Sequence, residues 1–163
     1  MTPYDYCHQK AEESGSSFLA GFRFLPPEKR RAMTVLYAYC RELDDVADDC
    51  ADPAVAAQTL AWWRQDAAKV FHGAALPEHP VNQAMREVAP AYGLPENELA
   101  AVIDGVEFDP GALCRFCRLA AILPARGRGG GAADCPHPRF PRCRRAGLCR
   151  QNGLGAAAHQ HHP

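Results

Sequence analysis

The sequence predicts an all-α fold. Three observations carry that reading. From Met33 to Ala47 the side chains Met33, Leu36, Tyr37, Cys40, Leu43 and Ala47 recur at intervals of three and four, the spacing of one buried helical face. Proline, aspartate and glycine stand where such stretches begin and end. No segment sustains the alternation, with a period of two, that marks a half-buried strand.

The elements follow in order. Residues 4–13 form a short first helix. Ser14-Gly15-Ser16-Ser17-Phe18 opens a second, which runs to Leu25. Pro26-Pro27 then starts a third, because proline fits a first turn whose N–H groups lack partners in any case. Glu28 lies near the positive end of that helix, which carries the apolar stripe to Asp49. Asp52 is a good N-cap and Pro53 a good first residue, so a fourth helix begins there. Leu60, Trp63, Ala67, Val70 and Phe71 line its buried face. Trp62, Trp63 and Cys40 are expected in the core. Residues 73–80 form a loop. Val81, Ala84, Met85, Val88 and Tyr92 make the next stripe, Gly93 ends it, and Pro95 opens a last helix to Val106.

The length of 163 residues suits one domain, and 47% apolar residues suffice for a sizeable core. The net charge of −1 hides a division. Residues 1–109 carry 9 basic and 18 acidic side chains, a net of −9. Residues 110–163 carry nine arginines and one acid, Asp134, a net of +8. Five of the eight cysteines also fall in this second part. The N-terminus has no apolar signal-peptide core, and no run approaches a spanning helix. The first part therefore reads as cytoplasmic, with reduced thiols at Cys7, Cys40 and Cys50.

Residues 41–49 read Arg-Glu-Leu-Asp-Asp-Val-Ala-Asp-Asp. Asp44 and Asp48 are one helical turn apart and share a face; Asp45 and Asp49 form a second pair beside them. Each like-charged pair opposes the helix by roughly 0.2–0.5 kcal/mol. The nearby C-terminal end of the dipole adds about 0.3–1 kcal/mol for each anion. A bound cation would offset these terms, and carboxylates with open geometry suit Mg²⁺, which keeps waters and bridges to phosphates. Arg41, one turn earlier, is placed to meet a phosphate or to lock an aspartate. The other reading of the run is a solvated acidic helix end.

Residues 14–49, SGSSFLAGFRFLPPEKRRAMTVLYAYCRELDDVADD, resemble the N-terminal half of the squalene/phytoene synthase family, most nearly its bacterial presqualene diphosphate synthases. LAWWRQD (60–66), HPV (79–81) and IDGVEFD (103–109) continue the likeness. The resemblance implies the N-terminal part of an isoprenoid-synthase-type helical bundle over residues 1–109. It implies an Mg²⁺-dependent prenyl transferase that joins two farnesyl diphosphates head to head, in hopanoid or related isoprenoid synthesis. Phytoene synthesis is the alternative activity. By the same resemblance Asp44 and Asp48 match the first metal-binding DxxxD motif, and Arg41 and Asp45 lie at the diphosphate. Tyr37 matches an active-site tyrosine, and Phe18 and Phe22 match an apolar wall around prenyl tails. Ser14, Ser16 and Ser17 match a phosphate-facing stretch near a helix start. Helix capping is the other reading of these serines, and ordinary core packing that of the two phenylalanines. The expected partners are prenyl diphosphates, without nucleic acid. Peripheral contact with a membrane for product release and the oligomeric state are left open.

Residues 110–163 depart from the family, which continues with a second aspartate-rich motif that this stretch does not contain. Cys114, Cys117, Cys135, His137, Cys143, Cys149, His159, His161 and His162 suggest zinc, and with the arginines a basic tail on nucleic acid. The ligand spacing is incomplete for a finger. A one-base slip of reading frame accounts for more. In a single shifted register, Gln151–His162 can be re-read as RMGLALQLTNII and Gly127–Phe140 as AGVVGRLIARILGF, both family-like and in family order. On this reading residues 110–163 are out of frame. The chain as written then carries one aspartate motif and is inactive. The apolar faces of residues 14–49 and 81–106 are left exposed.

Overall fold

The computed structural model describes residues 1–16, 18–73, 75–108 and 119. Among the described residues there are six helices and no strand: α1 (Pro3–Glu13), α2 (Phe18–Phe22), α3 (Pro27–Asp49), α4 (Pro53–His72), α5 (Pro80–Tyr92) and α6 (Glu96–Phe108). The all-α expectation holds. The zinc, nucleic-acid and out-of-frame readings of residues 110–163 lie outside the described residues, apart from Leu119, which is fully buried in the core.

The helix boundaries follow local chemistry. Thr2 caps α1 reciprocally: its hydroxyl accepts from Asp5 N–H at 3.1 Å, while Thr2 N–H donates to the Asp5 carboxylate at 2.8 Å. Asp52 accepts from Ala54 N–H at 2.8 Å ahead of Pro53. Gly73 and Gly93 end α4 and α5 at φ of 60° and 63°, the left-handed region that glycine enters without strain.

Helix α2 is shorter than expected, ending at Phe22 rather than Leu25. Two tight turns follow, Phe24 N–H to Gly21 O and Leu25 N–H to Phe22 O. The Arg30 side chain then donates to the carbonyls of Phe22, Arg23 and Leu25 at 3.0–3.2 Å. One guanidinium thereby satisfies acceptors that another helical turn would otherwise have used.

Helix α3 is the central element and packs against each of the other five. From Ala32 to Cys40 it is buried on almost every side, with Ala32, Met33, Val35, Leu36, Ala38, Tyr39 and Cys40, and further on Leu43, in the core. Tyr37 is half-buried, and Ala47 is exposed, because the helix leaves the core at its acidic end. Tyr39 lies off the expected stripe yet is fully buried, and its hydroxyl donates to Leu99 O of α6 at 3.2 Å. Tyr39→Phe should therefore cost about 1 kcal/mol. Chemical denaturation read by circular dichroism checks this; an unchanged midpoint would show the bond to be worth nothing.

Val81, Ala84, Met85 and Val88 of α5, and Leu99, Val102, Ile103 and Val106 of α6, are buried against α3 and α4. The expected exposure of residues 81–106 is thus corrected: no large apolar side chain there is exposed among those described. Among the described side chains of residues 14–49 one is large, apolar and exposed, Phe24 at the turn after α2. Trp62 is corrected too. It is 37% exposed, whereas Trp63 is 3% exposed, because neighbours on a helix point about 100° apart and the stripe of Leu60, Trp63, Ala67 and Val70 takes only one of them. Cys7, Cys40 and Cys50 are free thiols, and burial pushes the Cys7 thiol up to about 12, so it stays protonated and inert.

Candidate active site

Tyr37, Arg41, Asp44 and Asp48 follow one another on α3 at intervals of four, three and four, so they form a single stripe. The stripe begins inside the bundle and ends outside it. Tyr37 is half-buried, Asp44 is 8% exposed, and Asp48 is exposed.

Around Tyr37 three helices meet. Its hydroxyl donates to Ser14 Oγ at 2.9 Å, and Ser14 Oγ donates to Ala11 O at 2.6 Å. Ser14 is therefore the C-cap of α1, not a residue at a helix start. Ser16 N–H reaches back to the same oxygen at 3.4 Å. Phe22 is buried and meets Tyr37 edge to face, with ring centroids 6.4 Å apart. Phe18 begins α2, but its side chain and all of Ser17 lie outside the described residues.

At the acidic end, protein cations already neutralise part of the charge. Asp45 Oδ1 meets Arg41 Nη2 at 2.6 Å, and its Oδ2 meets Lys10 Nζ of α1 at 2.8 Å. Lys10 also lies 3.2 Å from Glu42, which accepts from the Tyr6 hydroxyl at 2.6 Å. Burial pulls the Lys10 ammonium down, but Asp45 and Glu42 outweigh it and hold it above its ordinary value. Burial, with help from Glu42, pushes Tyr6 up to about 12. Of the two possibilities for Arg41, the structure shows the locked aspartate.

The residues fit a hard divalent cation in part. Asp44 and Asp48 offer two carboxylates one turn apart, the donor chemistry that leaves room for waters and phosphate oxygens. Among the described residues no three histidine, cysteine, aspartate or glutamate side chains converge on one ion position.

A second polar centre was missed by sequence reasoning. Asp66 of α4 is fully buried. It accepts from Glu78 N–H at 2.6 Å, His79 N–H at 3.0 Å and Asn82 Nδ2 at 2.8 Å, and Lys69 Nζ lies 3.3 Å away. These bonds fasten the segment before α5. They overcome the effect of burial and hold the Asp66 carboxyl below its ordinary range. The signal was present: position 66 falls on the buried stripe of α4, where an acid is out of place.

His79, given no role from sequence, is the N-cap of α5, its Nδ1 accepting from Val81 N–H at 3.3 Å. Its ring packs on Tyr6, Trp62 and Trp63, with centroids 5.4, 6.3 and 4.5 Å away. Burial lowers its pKa, with Lys10 acting in the same direction and Glu42 and Asp66 opposing. The folded state thus prefers neutral His79 more strongly than the unfolded chain does. Its contribution is complete above the unfolded value of about 6.5 and is lost as pH falls below that toward the folded value. Thermal melts at pH 7.5 and 5.5 should show a larger loss for the unaltered chain than for His79→Asn, whose amide caps without titrating in this range. Equal losses would contradict the assignment.

The comparisons with known proteins bear on what this site does. The family model for squalene/phytoene synthases matches residues 11–118. The chain belongs to that family. Its members are prenyl transferases, a class that generally depends on divalent metal ions. The chain is similar to the presqualene diphosphate synthase of Rhodopseudomonas palustris, 37% identical over 108 residues, which cover 66% of this chain and 37% of the relative. It is 37% identical over 97 residues to the presqualene diphosphate synthase of Zymomonas mobilis, covering 58% of this chain and 32% of that protein. The phytoene synthase of Arthrospira platensis is more distant, 26% identical over 106 residues, covering 65% and 34%. The chain spans about a third of the length of the curated relatives it matches. No solved structure matches it. No helix among the described residues is long and apolar enough to cross a membrane.

Proposed function

We propose that α3 forms one diphosphate-holding wall of an active site for head-to-head prenyl transfer. Two farnesyl diphosphates would give presqualene diphosphate, in isoprenoid synthesis of the hopanoid type. The observation that carries this reading is the single stripe of Tyr37, Arg41, Asp44 and Asp48 in a chain of this family.

Each residue has chemical work to do. Asp44 and Asp48 would hold Mg²⁺ against the diphosphate. When bound, that ion supplies charge neutralisation as the allylic C–O bond breaks and diphosphate leaves. Arg41 offers a planar fork of donors that matches phosphate oxygens. Phe22 and Tyr37 provide an aromatic surface at the buried end of the stripe. Such a surface keeps water from the allylic cation and stabilises its charge through the rings. Ser14 belongs to the same wall through the hydrogen bond it accepts from Tyr37, Ser17 and Phe18 are assigned to it on the family resemblance alone, and Asp45 acts by setting where Arg41 points.

Residues 1–163 hold one aspartate motif, and clamping two diphosphates takes two. The full chain with farnesyl diphosphate and Mg²⁺ should therefore release no product above background in a diphosphate-release assay. Robust turnover would contradict this.

A further inference from the structure

We propose that Lys10 is a positioning residue for the diphosphate site: it holds Asp45 while Arg41 exchanges that carboxylate for the substrate diphosphate. The inference rests on the reading of α3 given above.

The ion pairs are arranged for such an exchange. Each oxygen of Asp45 has its own cation, Arg41 on Oδ1 at 2.6 Å and Lys10 on Oδ2 at 2.8 Å. The two cations differ in their freedom. The Arg41 side chain is 40% exposed and rides on the same helix as Asp45, one turn away. The Lys10 side chain is 22% exposed, comes from α1, and is held by a second carboxylate, Glu42, at 3.2 Å. Glu42 is itself fixed by the Tyr6 hydroxyl. Arg41 is therefore the cation able to turn outward, and Lys10 the one that stays.

Arg41 also has a reason to need a deputy. It sits one turn before Asp44 and Asp45 in a helix end that is rich in carboxylates. If Arg41 left Asp45 bare, a partly buried carboxylate would lose its partner beside an arriving anion, and both effects oppose binding. With Lys10 in place Asp45 keeps a cation beside it throughout. Without Lys10, Arg41 is pinned as the sole counter-ion of Asp45, and diphosphate must compete for it. Neither Lys10 nor Glu42 stands on the stripe that carries the chemistry, so their effect reaches the ligand only through Asp45 and Arg41.

The test is a double-mutant cycle on the full chain, with inorganic diphosphate titrated calorimetrically in the presence of Mg²⁺. Lys10→Met should weaken binding on the order of tenfold, and Lys10→Arg should restore it. In an Asp45→Asn background, where Arg41 has no anion to leave, Lys10→Met should have no further effect. A purely structural role for Lys10 in joining α1 to α3 would persist in that background. Melting temperatures of all variants read that structural part separately. If the unaltered chain binds diphosphate and Lys10→Met binds equally well, or weakens binding as much with Asn at position 45, the exchange is refuted while the reading of α3 stands. If the unaltered chain binds no diphosphate, the reading of α3 fails and the exchange fails with it.

Discussion

Replacing Asp66 with alanine should lower the stability of this helical unit by about 3 kcal/mol, through loss of hydrogen bonds to a buried carboxylate. For a unit of this size that is a fall in melting temperature on the order of 15 °C. The loss comes from donors left unsatisfied. Without the carboxylate, the backbone N–H groups of Glu78 and His79 and the amide of Asn82 lose their acceptor at once. Lys69 is not stranded, because Glu78 accepts from it at 2.6 Å. Some of the segment stays fastened by Gln83, which donates to the carbonyls of Pro77 and Glu78. Asp66→Asn should fall between the two, since an amide oxygen can serve one of the lost donors while its NH₂ confronts another. Because the folded state holds this carboxyl below its ordinary range, its contribution is complete above the unfolded value of about 3.9 and disappears as pH falls below that through the folded value. The acid limb of the stability curve should therefore be absent or shallower in Asp66→Ala. A melting temperature within a few degrees of the unaltered chain, about what a loss below 1 kcal/mol gives, would remove Asp66 from this role.

Asp48→Asn should separate function from stability, moving the two in opposite directions. Asp48 is exposed at the C-terminal end of α3, one turn from Asp44. In the ligand-free chain its charge opposes the helix, through the like-charged neighbour and through the dipole. Neutralising it should leave the melting temperature unchanged or slightly raised. The same change removes one of the two carboxylates proposed to hold Mg²⁺, so metal-dependent diphosphate binding should fall by a factor of ten or more, on the order of a lost metal ligand. Residues kept at a cost to stability are those that function requires. Asp48→Asn that binds diphosphate as the unaltered chain does would leave a solvated acidic helix end as the better description.

What could be read in the sequence was what is decided within a few residues. Pro27 and Pro53 at first turns, Asp52 as a cap, and Gly73 and Gly93 at helix ends all act on their immediate neighbours, and they mark boundaries that the structure keeps. The stripes of α4 and α5 were legible for the same reason. What could not be read depends on which helices meet. Lys10 with Asp45 and Tyr6 with Glu42 join residues some 35 positions apart across α1 and α3, and neither pair has a local signature. The end of α2 was misjudged because Arg30 caps it from the following helix. Of the candidate site, the order of Tyr37, Arg41, Asp44 and Asp48 along α3 was legible, since helical spacing alone dictates it. The engagement of Arg41 by Asp45 was left as one of two possibilities, because spacing of four on a helix permits that pair without requiring it.

The most direct test of this account is a calorimetric titration of the full chain with inorganic diphosphate, with and without Mg²⁺. Binding should be saturable, should need the metal, and should be lost in the Asp44→Asn, Asp48→Asn double variant while its helical circular dichroism is retained. Binding that is independent of Mg²⁺, or that survives the loss of both carboxylates, would contradict it.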